Sequence, residues 1–281
     1  MLKKFVFAII LIIFQNAYSQ DEQKFFVGVN VGVKFANKNY ATRYSGIYPV
    51  SDGKGYLEQV IMQTNNYQQI YTLLGEKTFS VPYDSYPTNI KYSPGLLTGV
   101  TLGYKLSPTL QVGIDADFSK LKIRDFFSLQ VDDPSNQTSQ AQYQLGNLYG
   151  EESRFNGRFN FDYIIEGETV NFVVGLSGLF SAWRIDEHFA VFNDYRMPLF
   201  SKHNPENNFS IRTGGSGWGG GLNVGVEYRI KDNLVGQLMY QPYVQRVDYL
   251  NTKSQIAAFG SSYIPDRFRL EHDITLRILW K

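Results

Sequence analysis

One feature constrains this chain more than any other: residues alternate apolar and polar with a period of two, in segment after segment. In the first segment Phe25, Val27, Val29, Val31, Val33 and Phe35 share one face, and Gly28, Asn30, Gly32 and Lys34 share the other. Successive side chains of a strand point to opposite faces, so such a segment is half apolar and half polar. The same pattern recurs over 96–106, 110–118, 154–163, 170–180, 217–230, 234–244 and 268–280. An apolar face this uniform over eight segments suits lipid outside and a narrow polar lumen inside. The expected fold is an all-β, antiparallel up-and-down transmembrane barrel of about eight strands. A mean hydropathy of -0.26 agrees with it, since inward polar residues lower the average.

The connections alternate as well. Three are short, near Ser107-Pro108, Gly167 and Asp232; four are long, at 36–94, 122–153, 185–214 and 245–266. In bacterial barrels short turns face the periplasm and long loops the cell surface, so both termini are expected in the periplasm of a Gram-negative cell. Two positions disturb the pattern. The third segment slips near Lys120, as at a bulge or at the exit from the membrane, and Pro242 interrupts the seventh, where ladder bonds should be lost.

Aromatics make up 16% of the chain, and their positions check the assignment. Tyr104, Tyr163, Phe172 and Tyr228 lie near short turns and Trp280 near the chain end, forming one girdle. Phe35, Phe118, Phe155, Phe180, Trp218 and Phe268 form the other. A separation of about 8–12 residues at a tilt near 40° spans roughly 20–30 Å, the height of an apolar band.

The N-terminal stretch reads as export machinery. Lys3 and Lys4 precede an apolar run from Phe5 to Phe14, too short to cross a bilayer, and Ala17-Tyr18-Ser19 offers a cleavage site. Residues 1–19 are expected to be a cleaved signal peptide and 20–281 the barrel. There are no cysteines, so disulfides and thiolate metal sites are excluded, and a net charge of +1 gives no reason to expect nucleic acid.

Several motifs carry a resemblance: the cleavage region Ala17-Tyr18-Ser19-Gln20, the opening Phe26-Val27-Gly28-Val29-Asn30-Val31-Gly32, the run from Leu102 to Leu110, and a last strand ending in an aromatic. By these the chain resembles the PorT-like outer-membrane barrels of Bacteroidota. The resemblance covers the barrel segments and not the loops. It implies a non-enzymatic envelope protein, some relatives being linked to the type nine secretion machinery.

The inward face carries Lys34, Lys105, Arg158, Arg229, Arg269 and Arg277 against Asp115, Asp117, Asp162, Glu227, Glu271 and Asp273. These could line an ion-selective pore. An eight-stranded barrel is filled by its own side chains, however, and buried charges must pair, so a structural charge network is expected instead.

Catalytic readings are weaker. Asp115-Ala116-Asp117 and Asp186-Glu187-His188 supply the pairs that an aspartyl-type surface protease would use. The first should sit deep in the barrel and the second in a loop, beyond hydrogen-bond reach. His272 faces outward, but the residue two on is Ile274, not the serine a lipid deacylase needs; Ser201-Lys202-His203 has no acid nearby. The glycine run from Gly214 to Gly221 lacks the Lys-Ser/Thr of a phosphate loop. No catalytic residue, metal or cofactor is expected.

The first long loop is the most informative non-barrel feature. Leu57, Val60, Ile61, Tyr67, Tyr71 and Leu74 recur at helical spacing, and nine tyrosines fall between Tyr40 and Tyr92. Tyrosine gives large contact area at low entropic cost, so this loop either caps the barrel or docks another envelope protein. The expected function is an accessory, partner-binding barrel of an outer-membrane complex, touching outer-membrane lipid and lipopolysaccharide. A narrow pore and a cell-surface hydrolase are the alternatives.

Overall fold

The computed structural model describes residues 24–47, 56–133, 140–201, 214–247 and 268–280. The expected signal peptide and most of the connection 245–266 lie outside them. Eight long strands build the wall: β1 (Phe25–Phe35), β2 (Gly95–Lys105), β3 (Leu110–Asp132), β4 (Gln142–Ile165), β5 (Asn171–Phe192), β6 (Gly214–Lys231), β7 (Leu234–Val247) and β8 (Arg269–Trp280). Each pairs antiparallel with its neighbour in sequence, and β8 pairs with β1, so the sheet closes on itself and leaves no edge around the ring.

The register sets the size of the ring. A path begun at Phe25 passes Tyr104, Val112, Phe161, Leu176 and Leu222. It enters β7 at Pro242, between the Tyr240–Val224 and Tyr243–Gly221 pairs, then crosses His272 and returns to β1 at Phe35. The stagger is therefore ten residues. Eight strands with that shear tilt by about 41° and stand roughly 8 Å from the axis. Side chains from opposite walls meet at that radius.

The apolar face points outward as expected. Val100, Ile114, Phe159, Leu176, Leu222, Val244 and Leu276 are exposed on it. Tyr163, Phe172, Tyr228 and Trp280 are exposed at the short-turn end, while Tyr104 is half covered by the edge of the Phe25 ring, 4.8 Å away. At the other end the Trp218 and Phe268 rings meet at 5.1 Å. Pro242 interrupts pairing with β6 locally but keeps its register with His272 of β8.

Three of the long connections are not the loops expected. Most of 122–153 is strand: β3 and β4 run together without a break from Gln111–Asp162 to Val131–Gln142. Most of 185–214 that is described is strand too, because β5 continues to Phe192 and turns into Tyr195–Ser201, which pairs back on it. Within 36–94, two short strands, Thr78–Ser80 and Tyr92–Ser93, pair with β3.

Lys120 is not a bulge, since the register passes through it unbroken as Lys120–Ser153. What changes there is the solvent. Below it β3 points Ile114 and Phe118 outward and Asp115 and Asp117 inward; above it Lys120, Lys122 and Arg124 point outward while Leu121, Ile123, Phe127, Leu129 and Val131 are buried within. Facing keeps its parity but polarity inverts, as it must where a strand leaves hydrocarbon for water. A true bulge lies next door, where β4 and β5 shift register at Glu151/Glu152.

Candidate functional site

Two layers lie along the barrel axis: a charged lumen, and above its long-connection end an apolar unit that we call the crown.

The lumen is filled with ion pairs. Arg158 donates to Asp117 at 2.7 Å and to Asp273, and reaches Gln241 at 3.3 Å. Arg277 donates to Asp115 at 2.6 Å. Lys34 lies 3.7 Å from Glu271 and 3.6 Å from Asp273, and donates to the Tyr243 hydroxyl. Amides complete the carboxylates: Asn223 donates to Asp162 at 2.7 Å, Gln237 to Glu227 at 2.8 Å, Asn30 to Asp117 at 3.0 Å and Asn160 to Asp115 at 2.8 Å. Every one of these side chains is buried. A buried charge left without a partner costs several kcal/mol, so the geometry is that of a packed network.

Of the twelve charged residues expected in the lumen, nine are buried there. Lys105 and Arg229 instead line the mouth at the short-turn end, an opening of about 410 Å³ shared with Glu166, Asn171 and Asp232. Below the network that end holds a buried apolar cluster of Phe26, Val235 and Leu279. The Phe26 ring occupies the space a Cβ would need at Gly103, which explains the glycine. Arg269 is only partly buried, near the opposite end.

Sequence reasoning passed over the residues that join lumen to crown. Arg154, whose inward parity was readable, donates to Glu152 at 2.6 Å and to Glu271 at 2.8 Å. Glu152 also accepts from the hydroxyls of Tyr44 at 3.0 Å and Tyr92 at 2.9 Å. Burial and the Glu152 carboxylate hold the Tyr92 phenol well above its ordinary pKa, so it stays a donor. Glu152 was hidden because it fell inside an assumed loop. Tyr243 lies one residue beyond the proline that weakened the seventh segment, and its hydroxyl reaches Glu271 at 3.1 Å.

The crown is a second core. The helical spacing from Leu57 to Leu74 belongs to two helices and not one, Tyr56–Ile61 and Thr64–Leu73. Leu57, Val60, Ile61 and Leu74 are buried with Ile70 against Leu121, Ile123, Trp183, Ile185 and Leu199. These apolar side chains pack on the protein's own sheet and are not presented outward. Tyr67 and Tyr71 are half buried and stack at 6.1 Å, with Tyr67 also on Phe79 at 4.8 Å. The short helix Lys38–Ala41 is capped by the Asn37 side chain, and the Asn37 amide donates to Glu271 at 3.0 Å, tying the crown to the lumen.

The candidate catalytic pairs stay apart. Asp115 and Asp117 belong to the lumen network, whereas Asp186 accepts from Ser153 and, at 3.2 Å, from Arg184. His188 is sealed in the crown and donates through Nε2 to the Tyr44 carbonyl at 3.2 Å. Burial lowers its pKa to about 3, outweighing that hydrogen bond, with Arg43 adding to the fall. His272 stacks on Phe35 at 4.9 Å on the outer wall. Among the described residues no cluster of histidines and carboxylates could hold a metal ion.

No family model matches the chain, and no curated protein matches it in sequence, so the PorT-like resemblance stands on the residues quoted for it. Among solved structures, the crystal structure of Neisserial surface protein A is similar at a TM-score of 0.41, with 9% identity, covering 92% of this chain and 96% of that one.

Proposed function

We propose that this protein is a non-conducting, non-enzymatic outer-membrane barrel that carries a folded crown at the cell surface as an accessory, partner-binding component of an envelope complex. The observation that carries the reading is the inversion of polarity along β3. It divides the protein into a part solvated by lipid and a part solvated by water, each with its own interior. A lumen filled by ion pairs at its centre and holding a buried apolar cluster of Phe26, Val235 and Leu279 at one end disfavours the pore. A crown with a core of its own is more than a connector needs, because long segments that fold usually have a use. The PorT-like resemblance suggests secretion or envelope assembly machinery as the setting.

Purification from native membranes in mild detergent tests the reading, combined with reconstitution in a planar bilayer. The protein should carry another envelope protein with it and pass no steady current. A protein that migrates alone and conducts like a porin overturns the proposal.

A further inference from the structure

The crown contains an open strand edge. Above Ser119, where its pairing with β2 ends, the side of β3 away from β4 is paired at two places among the described residues: Thr78–Ser80 lies along Gln130–Asp132, and Tyr92–Ser93 lies along Lys122–Ile123. Between them, from Arg124 to Leu129, six residues have no strand beside them among the described residues, because residues 81–91 leave the sheet and arch over it. The arch and the bare edge enclose an open hollow of about 470 Å³. Its walls are residues 84–89 and Lys91 on one side and Arg124–Ser128 on the other, with Leu145 beyond.

Three further features of the hollow point the same way. The amide of Phe126 points to the open side, where it donates to the carboxylate of Asp125 at 2.8 Å; an edge amide answered only by its own neighbour can be taken over by an incoming carbonyl. Ser85, almost fully buried on the opposite wall, has a hydroxyl with no hydrogen-bond partner among the described residues. On its lining, Phe126 (55% exposed) and Leu145 (68%) stand in solvent, and Lys91 and Arg124 are the lining residues nearest the Tyr92–Ile123 pair. Phe126 is eight residues beyond Phe118 of the upper girdle, roughly 20 Å further along the axis, so lipid is not what covers it.

We infer that this gap in the pairing of β3 is a docking site for an extended segment of another protein, which adds a strand along Arg124–Leu129. Backbone hydrogen bonds to the bare edge would give affinity, alternate apolar side chains would cover Phe126 and Leu145, and a carboxylate would meet Lys91 and Arg124. The inference rests on the partner-binding reading above and specifies where and how the partner is held.

The test uses the full-length protein in detergent and peptides selected on it from a random displayed library. The informative variant is Ser128→Pro. By the alternation of an antiparallel ladder the Ser128 amide points the same way as that of Phe126, so proline removes an edge donor without touching the pairing to β4. Selected peptides should alternate apolar and polar residues and carry an acidic group. They should bind at least tenfold more weakly to Ser128→Pro, and to the native protein when their own alternate amides are N-methylated. Retained heat-modifiable migration shows that the barrel of the variant is folded and unchanged resistance to limited proteolysis shows that its crown is, and Phe126→Ser, which spares the backbone, gives a second reading of the same site. Failure to select any peptide, or binding indifferent to both Ser128→Pro and N-methylation, overturns the inference. Selected peptides or a native partner that bind elsewhere on the crown sink the edge site and leave the broader proposal standing.

Discussion

Replacing Arg158 with methionine asks whether the lumen is a dry network or a wet channel. The residue is 2% exposed, its guanidinium bridges Asp117 and Asp273, and it lies over the Tyr243 ring with 5.3 Å to the centroid. Methionine fills similar volume but strands both carboxylates. Removing one partner of a buried pair costs about 3–5 kcal/mol. Two anions are orphaned here, although Lys34 stays 3.6 Å from Asp273 and Asn30 3.0 Å from Asp117, so the expected loss stays in that range. The triple variant Arg158→Met, Asp117→Asn, Asp273→Asn removes the charges together and should recover most of it, to within about 2 kcal/mol of the native protein. Arg196, 55% exposed and paired at 3.0 Å with the similarly exposed Glu187, is the control: Arg196→Met should cost no more than about 1 kcal/mol. Urea unfolding in lipid vesicles, followed by tryptophan fluorescence and by heat-modifiable migration, measures all three. A loss below about 1 kcal/mol for Arg158→Met, or a triple variant weaker than the single, refutes the packed lumen, because in a water-filled channel each charge keeps its hydration.

Two further outcomes concern the crown. Ile61→Ala removes a fully buried side chain from the upper core and should cost about 2–5 kcal/mol of crown stability, read as faster limited proteolysis, while the barrel keeps its heat-modifiable migration; loss of both together would mean crown and barrel fold as one unit. His188 is neutral when folded, with a pKa of about 3, against about 6.5 when unfolded. The unfolded state therefore binds the extra proton between those values, and crown stability should fall as pH drops below 6.5, by about 2 kcal/mol at pH 5. Hydrogen exchange of crown amides from pH 7 to 5 checks this, since His188→Gln should remove most of the pH dependence; an unchanged slope in the variant rejects the assignment.

The wall was legible because lipid imposes one rule on every strand at once. Val29, Ile114, Phe159, Leu176 and Leu276 each occupy the outward parity, and that requires only the period of a strand. Lumen charges such as Lys34, Asp115 and Arg277 followed by the same parity. The rule also caused the main error. Above the membrane the parity persists with its polarity reversed, so Lys120–Leu129, searched for an apolar outward face, looked like a strand ending. That misreading turned the upper halves of β3 and β4 into a loop and hid Glu152, Tyr44 and Tyr92 as one hydrogen-bonded group.

The sequence by itself determined the class of fold, the outward face of each wall strand and the charge content of the lumen, because alternation is local and each residue declares its side without knowing its partner. Only the tertiary structure decided the rest. Closure of β8 on β1 with a stagger of ten residues makes the interior narrow enough to fill, and that number exists only once eight registers are combined. Which cation meets which carboxylate depends on that stagger: Arg158 and Asp273 are 115 residues apart in the chain and touch across the lumen. The crown depends on it too, since Leu57 and Ile61 find Leu121 and Ile185 only after the barrel has set those strands side by side.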